Sequence, residues 1–375
     1  MMRKVPHPVN GSFVAQTFQS ARYFFSPGCG IPLRKQPRPE VWGNNSDRDN
    51  LNTTIRPLTL PVYNTPSHLE PRMTDQRFHP RRPLGRTGFV ATALGIGDLA
   101  DRQLPLDTCI ATARRALDAG LNLIDTAECY KDSESLIGSA VANRRNDFYL
   151  LTKCGHTGKD FGLPDWDPKM LALSIDRSLR KLQTDHVDIL QLHSCTLEQL
   201  QAGTVIEVAQ KARAAGKTRF LGYSGDGPAA KWVAESGLFD TLQTSCSIAD
   251  QESIDLSIAV AQAHGLGVIV KRPIANTAWK DQGMIYGGYA KEYWRRLQLL
   301  NYDLLAKPMD QAVSAALRFT LAVPGVTTAI VGTTNPARWQ ANAELLKAGP
   351  LPQQDFAAIR ARWKTVATPE WTGQS

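Results

Sequence analysis

From about residue 80 onward, short apolar runs alternate with longer stretches in which apolar positions recur every three or four residues. The runs VATALGIG, NLIDTA, FYLLTK, HVDILQLH, TRFLGYSG, DTLQTSC, LGVIVKRP and TTAIVG read as eight strands, near-continuously apolar as in parallel sheets covered on both faces. Helices fall between and after them, at 106–119, SESLIGSAVANR, DPKMLALSIDRSLRKLQ, VIEVAQKARAAGK, 228–236, IDLSIAVAQAHG, QAVSAALRFTLAV and PARWQANAELLKA, with a tail helix at 355–364. In the first, Ile110, Ala113 and Leu117 share a face. Local chemistry marks the ends: Ser133 as an N-cap, Asp167 ahead of Pro168 in a first turn, and Gly216 as a stop. Ahead of them RRPLGRTGFV reads as a β-hairpin turning at LGRTG.

Eight βα units predict a closed (β/α)₈ TIM barrel with an N-terminal β-hairpin cap. A doubly wound open sheet is the second architecture, disfavoured because no G-x-G-x-x-G follows the first strand. The connection 274–309 is long and carries Trp279, Tyr286, Tyr289, Tyr293 and Trp294. Such a segment either folds over a ligand on the strand-end face or packs as a helix on the barrel wall.

Residues 1–72 differ from the rest. They hold ten of the 23 prolines, many Asn, Ser and Arg, and no sustained periodicity, and so predict a disordered extension. The expected organisation is an extension over 1–75, the barrel over 76–367 and a tail over 368–375. The first 30 residues are basic without acidic groups, in the manner of a transit peptide, and lack a secretory h-region; Met73 is a second candidate start. The formal charge of +8 is concentrated here, with nine Lys and Arg against four Asp and Glu in residues 1–72. The barrel is therefore close to neutral and has no basic run of the kind nucleic-acid binding needs. No 18-residue apolar stretch predicts a membrane span. Six cysteines without a C-x-x-C pair predict free thiols and a reducing, cytoplasmic setting. Cys129, Cys154 and Cys195 read as strand-end packing or, alternatively, as thiols that respond to oxidation. H-E-x-x-H is absent, which disfavours a zinc hydrolase and predicts no metal site.

Three successive strands place an ionisable residue at their carboxyl ends: Asp125, Lys153 and His193, with Tyr130 five residues after Asp125. In a parallel barrel that end is where active sites are built. The set Asp125, Tyr130, Lys153 and His193, within IDTAECY-x-x-SE-x-LIG, LLTK and the LH after VDILQ, resembles the catalytic tetrad of the aldo-keto reductases. The resemblance covers about residues 77–365. It implies reduction of an aldehyde or ketone, or the reverse oxidation, with a small-molecule carbonyl or alcohol as substrate. A free phenol is too weak an acid for easy proton transfer at neutral pH. On this resemblance Tyr130 supplies the proton, Lys153 lowers the phenol's pKa, Asp125 holds Lys153, and His193 orients the carbonyl oxygen.

The same resemblance points to a nicotinamide cofactor. Ser224 and Gln243 match residues that hold the amide, but Gly225 stands where the family has Asn, and Lys271 where it has a ring-stacking Tyr. Lys271 and Arg272 could instead reach phosphate oxygens. VGTTNPARWQAN resembles the adenosine-phosphate segment: Gly332 and Thr333 open it, a helix begins near Pro336, and Arg338 and Asn342 match residues that meet the 2′-phosphate and adenine. NADP(H) is thus expected over NAD(H). Other functions on this barrel are a nucleotide-binding regulatory subunit with little turnover and a sugar isomerase or epimerase. Oligomeric state is not legible.

Overall fold

A strand that is buried on both sides needs covering on both sides, and the chain supplies this by returning a helix after nearly every strand. The computed structural model describes residues 80–99, 104–280, 288–332 and 338–374, excepting the side chains of 338–340. The extension expected over 1–75 therefore lies outside the described residues. The strands are β1 (Arg81–Pro83), β2 (Val90–Thr92), β3 (Leu94–Ile96), β4 (Leu123–Asp125), β5 (Tyr149–Cys154), β6 (Val187–His193), β7 (Thr218–Ser224), β8 (Thr241–Ser245), β9 (Gly267–Lys271) and β10 (Val326–Val331). The helices are α1 (Leu106–Asp118), α2 (Ser133–Val141), α3 (Gly158–Phe161), α4 (Pro168–Leu182), α5 (Leu197–Ala202), α6 (Thr204–Ala214), α7 (Gly227–Ser236), α8 (Ala259–Ala263), α9 (Tyr289–Leu300), α10 (Met309–Ala322), α11 (Arg338–Leu345) and α12 (Gln353–Val366).

Strands β3 to β10 form a closed parallel barrel, completed where Ala329 of β10 pairs with Leu94 of β3. Side chains alternate in and out along each strand. Leu123, Leu151, Ile189, Ile269 and Ile330 fill the interior, and Leu84 and Phe89 of the β1–β2 hairpin join them, closing the barrel's amino end. Arg82 ties that cap to the wall by donating to the carbonyls of Leu321 and Val326 at 2.8 and 2.9 Å.

Several local expectations change. VATALGIG is two strands, not one: β2 belongs to the cap and β3 to the barrel. Between them the Thr92 N–H donates to Asn122 Oδ1 and its hydroxyl to Leu94 O, which bends the chain at Ala93. The LGRTG turn contains a 3₁₀ turn, Gly85–Thr87. A Cβ on Gly85 would sit 2.2 Å from the Gly267 nitrogen, so only glycine allows the cap to seat. Ser133 is the first residue of α2 and not its cap; its hydroxyl accepts from Thr126 Oγ1 instead. Asp167 does cap α4, accepting from the N–H groups of Lys169 and Met170. The helix ahead of β9 begins with a π-helical turn, Ile254–Ile258, that continues into α8.

Of the long connection, residues 281–287 lie outside the described set. Its helix α9 buries Ala290, Tyr293, Leu297 and Leu300 against a second apolar cluster that includes Phe319, Ile359, Trp363 and Trp371. Wall packing accounts for this part. No helix among the described residues is long and apolar enough to cross a membrane.

Candidate active site

β4 and β5 run side by side, so their inward-facing final residues meet. Lys153 Nζ lies 2.5 Å from Asp125 Oδ2 and donates to the Thr126 carbonyl at 2.8 Å. Both side chains are almost wholly buried. An unpaired charge there would cost several kcal/mol, on the order of the desolvation of one ion. Asp125 is satisfied further: its Oδ1 accepts from Gln191 Nε2 at 2.9 Å and Gln243 Nε2 at 3.0 Å. Two carboxamides and an ammonium thus converge on one carboxylate.

Tyr130 stands on the loop after β4, in a turn where its N–H donates to Ala127 O. The Lys153 ammonium is 4.8 Å from the centre of its ring, and the His193 ring meets it edge-on at 5.8 Å. The expectation that Lys153 lowers the phenol's pKa is not met. Although part of Tyr130 remains open to solvent, burial raises its pKa well above the ordinary value, and Asp125, Cys129 and Asp98 push the same way. Lys153 is matched by Asp125, which offsets part of its field at the phenol. The phenol is a protonated donor, not a phenolate.

His193 ends β6. Burial, then the Lys153 and His156 charges, hold its pKa well below the usual imidazole range, so it is neutral at neutral pH. Its Nδ1 lies 3.5 Å from Cys129 Sγ. The next strand end, Ser224 on β7, is in register with His193, and its hydroxyl donates to Gln243 Oε1 at 2.9 Å. Asp125, Tyr130, Lys153, His193, Ser224 and Gln243 therefore form one connected group at the carboxyl end of the barrel.

The departures at 225 and 271 have physical causes. A Cβ on Gly225 would fall 2.4 Å from Tyr223 Oη, which is fixed by donating to Cys195 O at 2.9 Å. An asparagine has no room beside that ring. Lys271 is paired with Asp226 at 3.0 Å. Burial alone would raise the Asp226 pKa, but Lys271, the Ser245 N–H and the Thr244 hydroxyl more than offset it and hold the carboxyl below its usual value. Arg272 donates to Ser245 Oγ at 2.7 Å and to the Gln374 carbonyl, with its guanidinium 3.8 Å from the Tyr289 ring centre. Both cations are thus held by the protein itself.

On the far side of the barrel, Gly332 is exposed after β10, and a Cβ there would find only Asp98 O, at 3.9 Å. Asn342 is buried on α11. Thr333, Pro336 and the Arg338 side chain lie outside the described residues. No group of three His, Cys, Asp or Glu side chains disposed to hold a metal occurs among the described residues.

Three participants were not anticipated. Gln191 sits two residues before His193, so strand alternation already placed a polar side chain inward in an otherwise apolar strand. Asp226 follows GYSG directly. Glu128 is buried and accepts from Gly155 N, His156 N and Thr157 Oγ1, fixing the loop after Lys153; a carboxylate two residues before Tyr130 carried no distinguishing signal.

The model of the Aldo/keto reductase family matches residues 92–364. L-galactose dehydrogenase of Arabidopsis thaliana is 28% identical, over 77% of this chain and 96% of its own length. The NADH-specific methylglyoxal reductase of Escherichia coli is 25% identical, over 56% of this chain and 70% of its own. Among solved structures, the holo form of aldo-keto reductase AKR11C1 from Bacillus halodurans superposes with a TM-score of 0.65 at 25% identity, covering 78% of this chain and 98% of that one.

Proposed function

Given that the chain belongs to the aldo/keto reductase family of oxidoreductases, we propose that it is an NADP(H)-dependent enzyme that interconverts a carbonyl and an alcohol, with Tyr130 as general acid and base. The observation that carries this reading is the buried Asp125–Lys153 pair beside the Tyr130 ring, with a neutral His193 edge-on to it.

Residues suited to a nicotinamide nucleotide are present. Ser224 and Gln243 make a polar pair beside the tetrad, Gly332 leaves open ground next to Asp98 O, and the helix α11 that carries Arg338 and Asn342 lies beyond it. Arg338 with Asn342 would hold the 2′-phosphate and adenine, and the Arg338 guanidinium is the basis for preferring NADP(H). Lys271 and Arg272, held by Asp226 and Ser245, would face the phosphates or the ring. When bound, the nucleotide supplies or accepts the hydride.

The chain's own residues do the rest. His193 donates an N–H to the carbonyl oxygen and fixes its position. Tyr130 donates its phenolic proton to that oxygen as negative charge develops on it. Lys153, anchored by Asp125, steadies the phenolate that remains. In the oxidative direction the same phenolate takes the proton from the alcohol.

The test is a cofactor-consumption screen across aldehydes, ketones and sugars, with NADPH and NADH side by side; the named relatives make sugars and methylglyoxal natural members of it. Faster consumption of NADPH, abolished by Tyr130→Phe, supports the proposal. Turnover undiminished in that variant defeats it. A second reading, a regulatory subunit that binds nucleotide with little turnover, is favoured by Gly225 and by the Lys271–Asp226 pair. It predicts NADPH binding with no carbonyl consumed.

A further inference from the structure

We propose that Cys129 is a positioning residue that fixes the tautomer of His193, so that the imidazole offers an N–H and not a lone pair to a substrate carbonyl oxygen. The inference rests on the function proposed above, but its primary test does not.

The backbone at the end of β6 is firmly held. His156 Nε2 donates to the His193 carbonyl at 2.6 Å, and the Ser194 N–H donates to Ser224 O at 2.7 Å while Ser194 adopts φ of 62°. None of these contacts touches the imidazole. Two rings, Tyr130 and His156, pack edge-on against it at 5.8 and 5.2 Å and limit its rotation, but neither selects which nitrogen carries hydrogen. Among the described residues, the hydrogen-bonding group that reaches a ring nitrogen is Cys129, with Sγ 3.5 Å from Nδ1.

The direction of that contact follows from the partners. An imidazole nitrogen is a good acceptor, whereas thiol sulfur is a poor one, so the S–H donates and Nδ1 accepts. A ring nitrogen whose lone pair is engaged leaves the single ring hydrogen of a neutral imidazole on Nε2. Both groups keep the required state at neutral pH. Burial pushes the Cys129 thiol up to about 11, so it stays S–H, and burial keeps His193 uncharged. Cys129 immediately precedes Tyr130, so one turn of chain sets both donors that a carbonyl oxygen would meet: the phenol directly, and the imidazole N–H through the thiol.

The experiment is nitrogen NMR on the full chain labelled with ¹⁵N-histidine, the His193 signals assigned by their loss in His193→Gln. Wild type should show a protonated Nε2 and an unprotonated Nδ1. Cys129→Ala should move both signals toward tautomer-averaged positions, and Cys129→Ser, which keeps an O–H donor, should restore them. A wild-type spectrum with hydrogen on Nδ1, or a Cys129→Ala spectrum identical to wild type, overturns the proposal. Should Cys129→Ala fail to fold, Cys129→Val, close to cysteine in volume and without a donor, takes its place with the same expected shift. With any carbonyl found to turn over, kcat/KM should fall about five-fold in Cys129→Ala, the equivalent of one ordinary hydrogen bond, and recover in Cys129→Ser. An alanine variant as fast as wild type also counts against it. If no carbonyl turns over at all, the functional reading fails while the tautomer assignment stands or falls on the spectrum.

Discussion

The Lys153 ammonium lies 4.8 Å from the centre of the Tyr130 ring while it is bound at 2.5 Å to Asp125. The acid-to-amine contact is therefore much the tighter of the two. Lys153→Met should strand a buried carboxylate and lower stability by about 3–5 kcal/mol. Adding Asp125→Asn should recover a large part of that loss, because the stranded charge is gone. Urea unfolding of the two single variants and the double variant checks this; strictly additive losses would contradict it.

His193 gives acid sensitivity a definite sign. Its folded-state pKa is well below 6.5, the ordinary value it regains on unfolding. Between the two, the unfolded chain binds a proton that the folded chain refuses, so stability is lost as pH falls below about 6.5. His193→Gln should unfold at a urea midpoint less dependent on pH between 7.5 and 5 than wild type.

Asp250 works the other way. It is buried beside Asp226, with Tyr293 Oη at 3.2 Å and the Arg296 guanidinium only loosely placed at 3.9 Å. Burial first, and Asp226 second, raise its carboxyl from 3.8 to about 7, against the pull of Arg296, the Tyr293 hydroxyl and the Gln374 N–H. Through that window the folded chain keeps a proton that the unfolded chain has released, so stability falls as pH rises. Asp250→Asn should raise the melting temperature relative to wild type at pH 8 and lose that advantage at pH 4.

Arg82 holds the cap together with Arg81, which donates to Gly120 O, and Arg86, which pairs with Asp240. Arg82 donates to two carbonyls 239 and 244 residues away in sequence. Arg82→Met keeps the aliphatic stem but removes both bonds, and should cost about 1–3 kcal/mol in denaturant titrations. Activity per folded molecule should be unaffected, since the cap closes the end opposite the tetrad.

Glycine at 225 is required by its neighbour. Gly225→Ala should cost about 1–3 kcal/mol through overpacking against the Tyr223 ring, and Gly225→Asn at least as much, because the collision begins at Cβ. Thermal melts of the two variants decide it.

Much of this was legible in the chain. Parallel strands covered on both faces appear as unbroken apolar runs, and an ionisable residue ending such a run points to the strand-end face, as Asp125, Lys153 and His193 do. What was hidden depended on contacts between distant segments. The VATALGIG run does not reveal that Asn122, by holding Thr92, bends it at Ala93. Ser133 precedes a helix like a cap, yet Thr126 claims its hydroxyl. The Tyr130 pKa follows from burial and from a neighbouring carboxylate, and no spacing of residues encodes either.

Tyr223 and Gly225 also carry a historical implication. While the aromatic ring occupies its place against the Cys195 carbonyl, no residue with a β-carbon is accommodated two positions later. A lineage could acquire asparagine at 225 only after position 223 had become smaller, and could not take the steps in the reverse order without passing through an unstable intermediate. Across descendants of a common ancestor the two positions should accordingly change as a pair, bulky with glycine or compact with asparagine.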